Sequence, residues 1–542
     1  MFGHLFCFFS LALLRAGARP PQLNGCRNAV QLRAHPTQLG TASAASAVVV
    51  GGGPSGLATA YVLAKRGFHV TILERRAEPN PYEPQRAYLY LVDGRGQAFT
   101  DAAGLTAELA SPAISVSSLN YTVTRIMPEG DRVVAVPPIL DPSSTRPSYW
   151  ISRAAFLGLL LRNLPKDVDT LFGAELNDVV RTDDGAIEVV AKVADGTEVR
   201  LRPSLLVGAD GLSSIVRERC AAWAETADAF TPVVLPSPSS GLCYKMIRLP
   251  PSFRLDATDA SVTAEPRKAY SIRPAARAPL GPTRLGLLPV ADPKFPRTAN
   301  VILPPEHPVW GLESAEDVRS WLRATFTALP MDEIVDASEA AAFATGRPGA
   351  FPAPCYSPCQ YLLLPRSGIV LVGDAVHSFP PDIGQGVNAA LSDVMLLARA
   401  LDDATAAAVP PPALTSLLTP SAAARLIERA LPAYGKACAP EAEAVARIAQ
   451  IGFPSQYPLT RERNPLARSL WFANFLVRTF VLAKLAPRIF APAAIVLVQR
   501  PHLSYQAVWQ TAQQTTRRLQ AIATCVLAAV AWPWLRRVLW GA

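Results

Sequence analysis

Short β-branched runs that end in glycine, each leading into a long apolar stretch, set the pattern of this chain. Val48 to Val50 are three consecutive valines, as in a strand buried on both faces. They run into Gly51-x-Gly53-x-x-Gly56, and an apolar helical stretch follows to Lys65. A second strand, Val70 to Leu73, ends at Glu74. The rhythm returns at Leu205 to Val207, ahead of Asp210-Gly211 and a helix. It returns again at Ile369 to Val372, ahead of Gly373-Asp374. After this third strand a loop, Gly384-Gln385-Gly386, predicts a helix starting at Val387 or Asn388. Continuously apolar strands alternating with helices predict an α/β fold with a parallel sheet.

The two ends read differently. Leu519 to Leu535 carries no charge over seventeen residues and is flanked by arginine pairs. As a helix it is ~25 Å long against a ~30 Å hydrocarbon core. With Trp532 and Trp534 at one end it reads as a membrane helix at about 519–535. Phe490 to Gln499 is apolar for only ten residues and reads as a buried or interfacial helix. Residues 1–45 hold no acid, several arginines and many small residues, the composition of a targeting leader. Import into a chloroplast or mitochondrion fits it first. Secretory entry is the runner-up, because Phe2 to Leu14 imitates an h-region. Asp403 to Ala424, rich in Ala and Pro, reads as a surface loop.

Composition sharpens this picture. With 542 residues, half of them hydrophobic and 18% charged, the chain is folded and holds more than one module. Its net charge of +9 belongs to the ends: no Asp or Glu precedes Glu74 or follows Glu462, which leaves the middle mildly acidic. A nucleic-acid groove is excluded on that distribution. Eight cysteines without regular spacing form no disulfide framework, and Cys355 and Cys359 are the nearest couple. No His/Cys cluster has metal-ligand spacing, so no metal is expected.

The glycine spacing carries chemistry. Gly51 permits a tight turn, Gly53 lets the backbone approach a pyrophosphate, and Gly56 lets helix and strand pack closely. Glu74, placed 23 residues after Gly51, suits a ribose hydroxyl. A carboxylate at a strand's end, as at Asp210 and Asp374, suits a ribose or ribityl hydroxyl. For each Gly/Asp site alone, a turn with a capping Asp is the competing reading.

Together the stretches GGGPSG, ISRAAFLGLLL, GADGLSSIVR and GDAVHSFPPDIGQGVN resemble the group A FAD-dependent aromatic monooxygenases, the kynurenine-hydroxylating members above all. RAYLYLVDGRGQAF from Arg86, PRTANVILPPEHPVW and SYQAVWQTAQQTTRRLQ support the likeness. It implies a Rossmann-like FAD-binding domain of the glutathione-reductase type, in three parts (46–110, 151–225, 365–460). A mixed-sheet substrate domain (111–150, 226–364) is inserted, and a C-terminal helical, membrane-attached segment (461–542) follows. By the same resemblance Gly51, Gly53, Ser55 and Gly56 hold the FAD diphosphate, and Glu74 with Arg75 the adenosine end. Arg153 contacts the cofactor, and Asp210 belongs to a motif linked to FAD and the nicotinamide donor. Gly373 and Asp374 bind the ribityl or diphosphate part. Pro381 lies near the ring face, and Gly384, Gln385, Gly386, Val387 and Asn388 lie along the flavin. His377 is read as structural.

The implied activity is hydroxylation of a small aromatic substrate by O₂ through a flavin C4a-hydroperoxide, with NAD(P)H, NADPH favoured, as electron donor, on an organelle membrane. In the kynurenine hydroxylases an Arg and a Tyr grip the substrate carboxylate. Ser115 to Pro138, where they belong, matches poorly, and Arg125, Arg132 and Tyr121 are assigned to neither place. A lipophilic quinone- or carotenoid-type substrate therefore stays open, as does a membrane flavoprotein that oxygenates nothing.

Overall fold

A computed structural model describes residues 44–78, 89–111, 113–116, 122–135, 146–256, 259–291, 296–407, 418–452 and 465–540. The leader to residue 43, Arg86, Tyr121 and residues 408–417 of the Ala/Pro-rich stretch lie outside the described residues.

The valine run forms the strand Ser46–Val50, which lies mid-sheet and pairs in parallel with His69–Glu74 on one side and Leu205–Gly208 on the other. The sheet is completed by Val168–Phe172 at one edge and by Gly368–Leu371 then Tyr361–Leu363 at the other, only the last being antiparallel. Val48, Val49 and Val50 are at most 5% exposed; burying each contributes about 1.5–3 kcal/mol relative to an exposed valine. The helices Pro54–Ala64, Gly386–Ala406 and Pro420–Ile451 pack with this sheet into one core. Because the central strands are parallel, their carboxyl ends, with Gly51, Glu74, Gly208 and Gly373, share one edge, the edge at which such sheets bind ligands.

A second, seven-stranded sheet is mixed, running in order Gly349–Ala350, Cys243–Leu249, Arg297–Leu303, Leu285–Leu287, Ala269–Ile272, Val123–Ile126 and Arg132–Ala135. Its sequence alternates. Tyr270, Ile272, Ala299 and Val301 pack with Val318, Trp321 and Phe343 of the helices Ala315–Thr325 and Ala337–Thr345. From the opposite face, Val123, Ala269 and Leu288 join Leu91 and Trp150 of a small sheet made by Leu89–Val92, Ser148–Ser152 and Ile114–Val116.

The C-terminal helix runs from Tyr505 to Trp540. The helix expected around 519–535 is therefore there, but only as half of a longer one, whose first half buries Tyr505, Val508, Ala512 and Thr515 against the body. Among the described residues no helix is long and apolar enough to cross a membrane, so the membrane-spanning reading finds no support there. The uncharged run is bounded by Arg517 and Arg518 on one side and Arg536 and Arg537 on the other. Gln520 and Thr524 interrupt it, the Thr524 hydroxyl donating to the Gln520 carbonyl at 2.9 Å. The Phe490 to Gln499 stretch is buried at Phe490, Ala494, Ile495, Leu497 and Val498, though only Ala494–Leu497 is helical.

Candidate cofactor site

The first turn is built from glycines that cannot be replaced in the same way. Gly51 sits at φ +106°, and a Cβ there would lie 2.4 Å from the Ala209 carbonyl oxygen. A Cβ on Gly56 would lie 1.9 Å from the Gly51 oxygen, so the helix and strand touch at this point. Gly53, with φ −77°, has no atom within 4 Å of its would-be Cβ. It is the N-cap of the Pro54–Ala64 helix, and no side chain caps that helix. The first N–H groups are thus presented to open space with a positive dipole end behind them, the arrangement an anionic diphosphate requires. Gly373, at φ +62°, brings the third motif onto the first: a Cβ there would meet the Ser55 hydroxyl at 2.8 Å.

Glu74 is 5% exposed and its carboxylate is clamped. It accepts the Gly52 N–H at 2.7 Å, the Arg76 backbone N–H at 2.9 Å and two Arg76 guanidinium N–H groups at 2.8 and 2.9 Å. Burial alone would raise its pKa. The Arg76 hydrogen bonds and charge, with the Gly52 N–H, outweigh that and hold it below its ordinary value. Arg75 is exposed; the guanidinium engaging Glu74 belongs to Arg76. Arg76→Ala is accordingly expected to cost about 2 kcal/mol, because a buried carboxylate loses its cation. Arg75→Ala is expected to stay within about 0.5 kcal/mol. Urea midpoints of the two variants check this, and equal losses would refute it.

Asp210 behaves as the competing reading described. It accepts the Ser214 hydroxyl at 2.6 Å and the Val216 N–H at 3.2 Å, tying down the start of the Ile215–Trp223 helix. Burial raises its carboxyl despite these bonds.

Asp374 differs. It is exposed by surface area, yet protein crowds it closely enough that desolvation pushes its carboxyl up, His377 partly offsetting this and Asp393 adding to it. Behind it lies a buried hub that the sequence did not single out. One oxygen of Asp393 accepts the Gly373 N–H at 2.9 Å and lies 2.9 Å from His377 Nε2. Its other oxygen is 3.5 Å from Cys438 Sγ. Burial would lower the His377 imidazole; the charge and hydrogen bond of Asp393 hold it above its ordinary value. His377 therefore anchors the turn that displays Asp374.

Pro381 begins the 3₁₀ turn Pro381–Ile383, which closes at Gly384 in the left-handed region at φ +65°. The long helix then starts at Gly386, one residue earlier than expected, with Gln385 as an N-cap whose side chain caps nothing. Gly386 is exposed, with no atom within 4 Å of its would-be Cβ, and Val387 is buried. The side chains of Gln385 and Asn388 are fully buried and turned inward. Asn388 accepts the Asp93 N–H at 3.0 Å and donates to the Leu91 carbonyl at 2.8 Å. Gln385 donates to Asp93 at 3.1 Å and accepts the Tyr505 hydroxyl at 2.8 Å. What this loop can offer a cofactor is therefore backbone. Arg153 opens the Arg153–Arg162 helix, half-buried, beside the Ser152 cap.

Two uncapped helix starts, a glycine-lined gap and the exposed Asp374 carboxylate lie along one sheet edge, an arrangement whose free N–H groups can take the phosphates of a dinucleotide such as FAD. These features define a flavin-binding α/β domain. A family model described as an FAD binding domain matches residues 44–235 and 364–410. A kynurenine 3-monooxygenase of Salinispora tropica is 28% identical over 394 residues, 67% of this chain and 74% of that protein. A dual trans-enoyl reductase/FAD-dependent monooxygenase of Aspergillus terreus is 25% identical over 391 residues; the match takes in 70% of this chain but only half of that protein's length. Among solved structures, a 2-methyl-3-hydroxypyridine-5-carboxylic acid oxygenase shares the fold at a TM-score of 0.51 and 18% identity, over 75% of this chain and 90% of that one. Residues 44–235 and 364–410 thus form an FAD-binding domain, and the chain is similar to the group A FAD-dependent monooxygenases.

Proposed function

We propose that this protein is an NAD(P)H-consuming FAD hydroxylase whose substrate is a small aromatic acid. The observation that carries the reading is a pair of arginines, Arg125 and Arg273, on one face of the substrate-domain sheet. Arg125 lies two residues after Val123 and so shares the face that packs toward Leu91 and Trp150. It pairs in register with Ser271, and the row continues through Gly286 to Asn300. Burial pushes the Arg125 guanidinium down, with no carboxylate offsetting it among the described residues. Arg273, next on that face, is lowered by burial and then by the charge of Arg125. Two half-buried, mutually repelling cations beside an apolar wall suit a ligand with a ring and an anionic group.

Bound FAD supplies electron uptake from NAD(P)H and activation of O₂, and the chain supplies placement and exclusion of water. Absence of a second glycine-rich dinucleotide motif in the sequence supports a nicotinamide that visits, with NADPH the donor to try first. In this reading the apolar wall is the cluster that holds Leu91 and Trp150, and Arg125 orients the ring through its anionic group.

The relatives make L-kynurenine the first substrate to try. FAD-loaded protein is expected to oxidise NADPH several-fold faster with the true substrate, with little H₂O₂ released. Arg125→Met is expected to raise KM for it about 10- to 100-fold, the loss of a charge-assisted contact. Stimulation by neutral apolar rings that ignores Arg125→Met would overturn the aromatic-acid reading.

A further inference from the structure

We propose that the C-terminal segment is a positioning element of the flavin-side loop, and that Tyr505 is the residue through which it acts. The inference rests on the FAD reading above. A residue in the N-cap place normally folds its polar side chain over the first helical N–H groups and satisfies them. Gln385 has an amide oxygen that could accept them, yet its side chain makes no cap hydrogen bond and is bound elsewhere. Three groups hold it: Asp93 accepts from its amide at 3.1 Å, the Tyr505 hydroxyl donates to its oxygen at 2.8 Å, and Arg95 Nη1 lies 3.4 Å from that oxygen. The Gly386 helix start is thereby left uncapped and open.

The device that withholds Gln385 is anchored in the C-terminal segment. Arg95, 7% exposed, donates to the carbonyls of Val498, Arg500 and Leu503 at 2.8–3.1 Å, and its guanidinium lies 4.7 Å from the Tyr505 ring centre. Glu441 accepts the Tyr505 N–H at 2.7 Å and fixes the start of the last helix. Tyr505 thus reaches Gln385 across 120 positions of sequence, with its ring and its backbone both held. An uncapped helix start stabilises negative charge that develops on a neighbouring flavin ring. Tyr505 keeps that helix start free by keeping Gln385 away from it.

The test uses the full chain with FAD, and reversible sulfite addition as the probe, since the adduct places negative charge on the ring. Tyr505→Phe retains the ring over Arg95 and removes only the hydroxyl. It is expected to weaken sulfite addition, read by bleaching of the oxidised flavin band, roughly three- to tenfold, the worth of one buried hydrogen bond. Glu441→Gln loosens the same helix start without touching Gln385, and is expected to leave sulfite affinity within about twofold. Equal sulfite affinity in wild type and Tyr505→Phe overturns the proposal. So does an equal loss in both variants, which would mark ordinary docking. A wild-type chain that takes up no FAD would instead sink the cofactor reading itself.

Discussion

Gly51→Ala and Gly53→Ala, two identical changes two residues apart, are expected to fail in different ways. Gly51→Ala forces a Cβ into the left-handed region and drives it to 2.4 Å from the Ala209 carbonyl. The backbone strain is about 1–3 kcal/mol and the overpacking about 1–3 kcal/mol more. A loss of about 2–5 kcal/mol is a large part of the stability of an ordinary domain, so this variant is expected mostly in the insoluble fraction, without flavin. Gly53→Ala meets no protein atom within 4 Å and has an ordinary negative φ. Its unfolding midpoint is expected to stay close to wild type, while its methyl group occupies the gap at the helix start and flavin is lost. Thermal unfolding and the flavin-to-protein ratio, measured on both, decide the matter. A stable Gly53→Ala protein with full flavin would mean that no diphosphate lies against Gly53.

Asp393→Ala is expected to be the next most costly change, at about 3 kcal/mol, because it strips a buried imidazole and a backbone N–H of one shared acceptor. The loss depends on pH in a direction fixed by His377. Its imidazole titrates above its ordinary value in the folded chain. The pair's contribution is therefore complete below the unfolded imidazole pKa of about 6.5, and it fades as pH rises through the folded value. The gap in urea midpoint between wild type and Asp393→Ala is expected to be widest in mild acid and to narrow on the alkaline side. A gap that widens with pH would show that His377 is neutral in the native state. Because Asp393 also holds the Gly373 N–H, the variant is expected to bind FAD less tightly at every pH at which it folds.

What the sequence disclosed is what local rules govern. Glycine at Gly51, valines in a row and apolar periodicity each act within a few residues, so the strand, turn and helix around Gly51 are legible to within two residues. The adenosine-end arginine shows a signal left unused. Side chains alternate along a strand, so past the inward Glu74 comes an outward Arg75 and then Arg76 on Glu74's side, which the residue types alone do not distinguish. Asn388 and Gln385 were beyond reach, because a polar residue in a glycine-rich loop looks like a cofactor ligand until its partners are known. Theirs are Asp93, Arg95 and Tyr505, more than a hundred residues away in either direction. Hydropathy likewise registered the apolar run after Leu519 but not that the same helix begins packed against the body at Tyr505. For Asp210 both readings were on hand, and only the cap geometry at Ser214 and Val216 separates them.

The order of strands in the parallel sheet sets a schedule for the chain as it is made. Ser46–Val50 takes its place between His69–Glu74, which follows at once, and Leu205–Gly208, which does not; that strand in turn waits for Gly368–Leu371. At about 5–20 residues per second, the first strand leaves the ribosome roughly 15–65 seconds before the strand that completes the parallel core. For roughly the first 8–30 seconds of that interval the run of buried-type valines has one partner and one open edge; once Leu205–Gly208 is made, the open edge is that strand's. The substrate domain's sheet and helices between residues 226 and 364 emerge in the meantime and can fold on their own contacts. Nascent chains halted before residue 368 are therefore expected to need a holding chaperone for their amino-terminal third. The sheet edge that gathers the cofactor-binding turns is complete only once Gly368–Leu371 and the turn after it have been made.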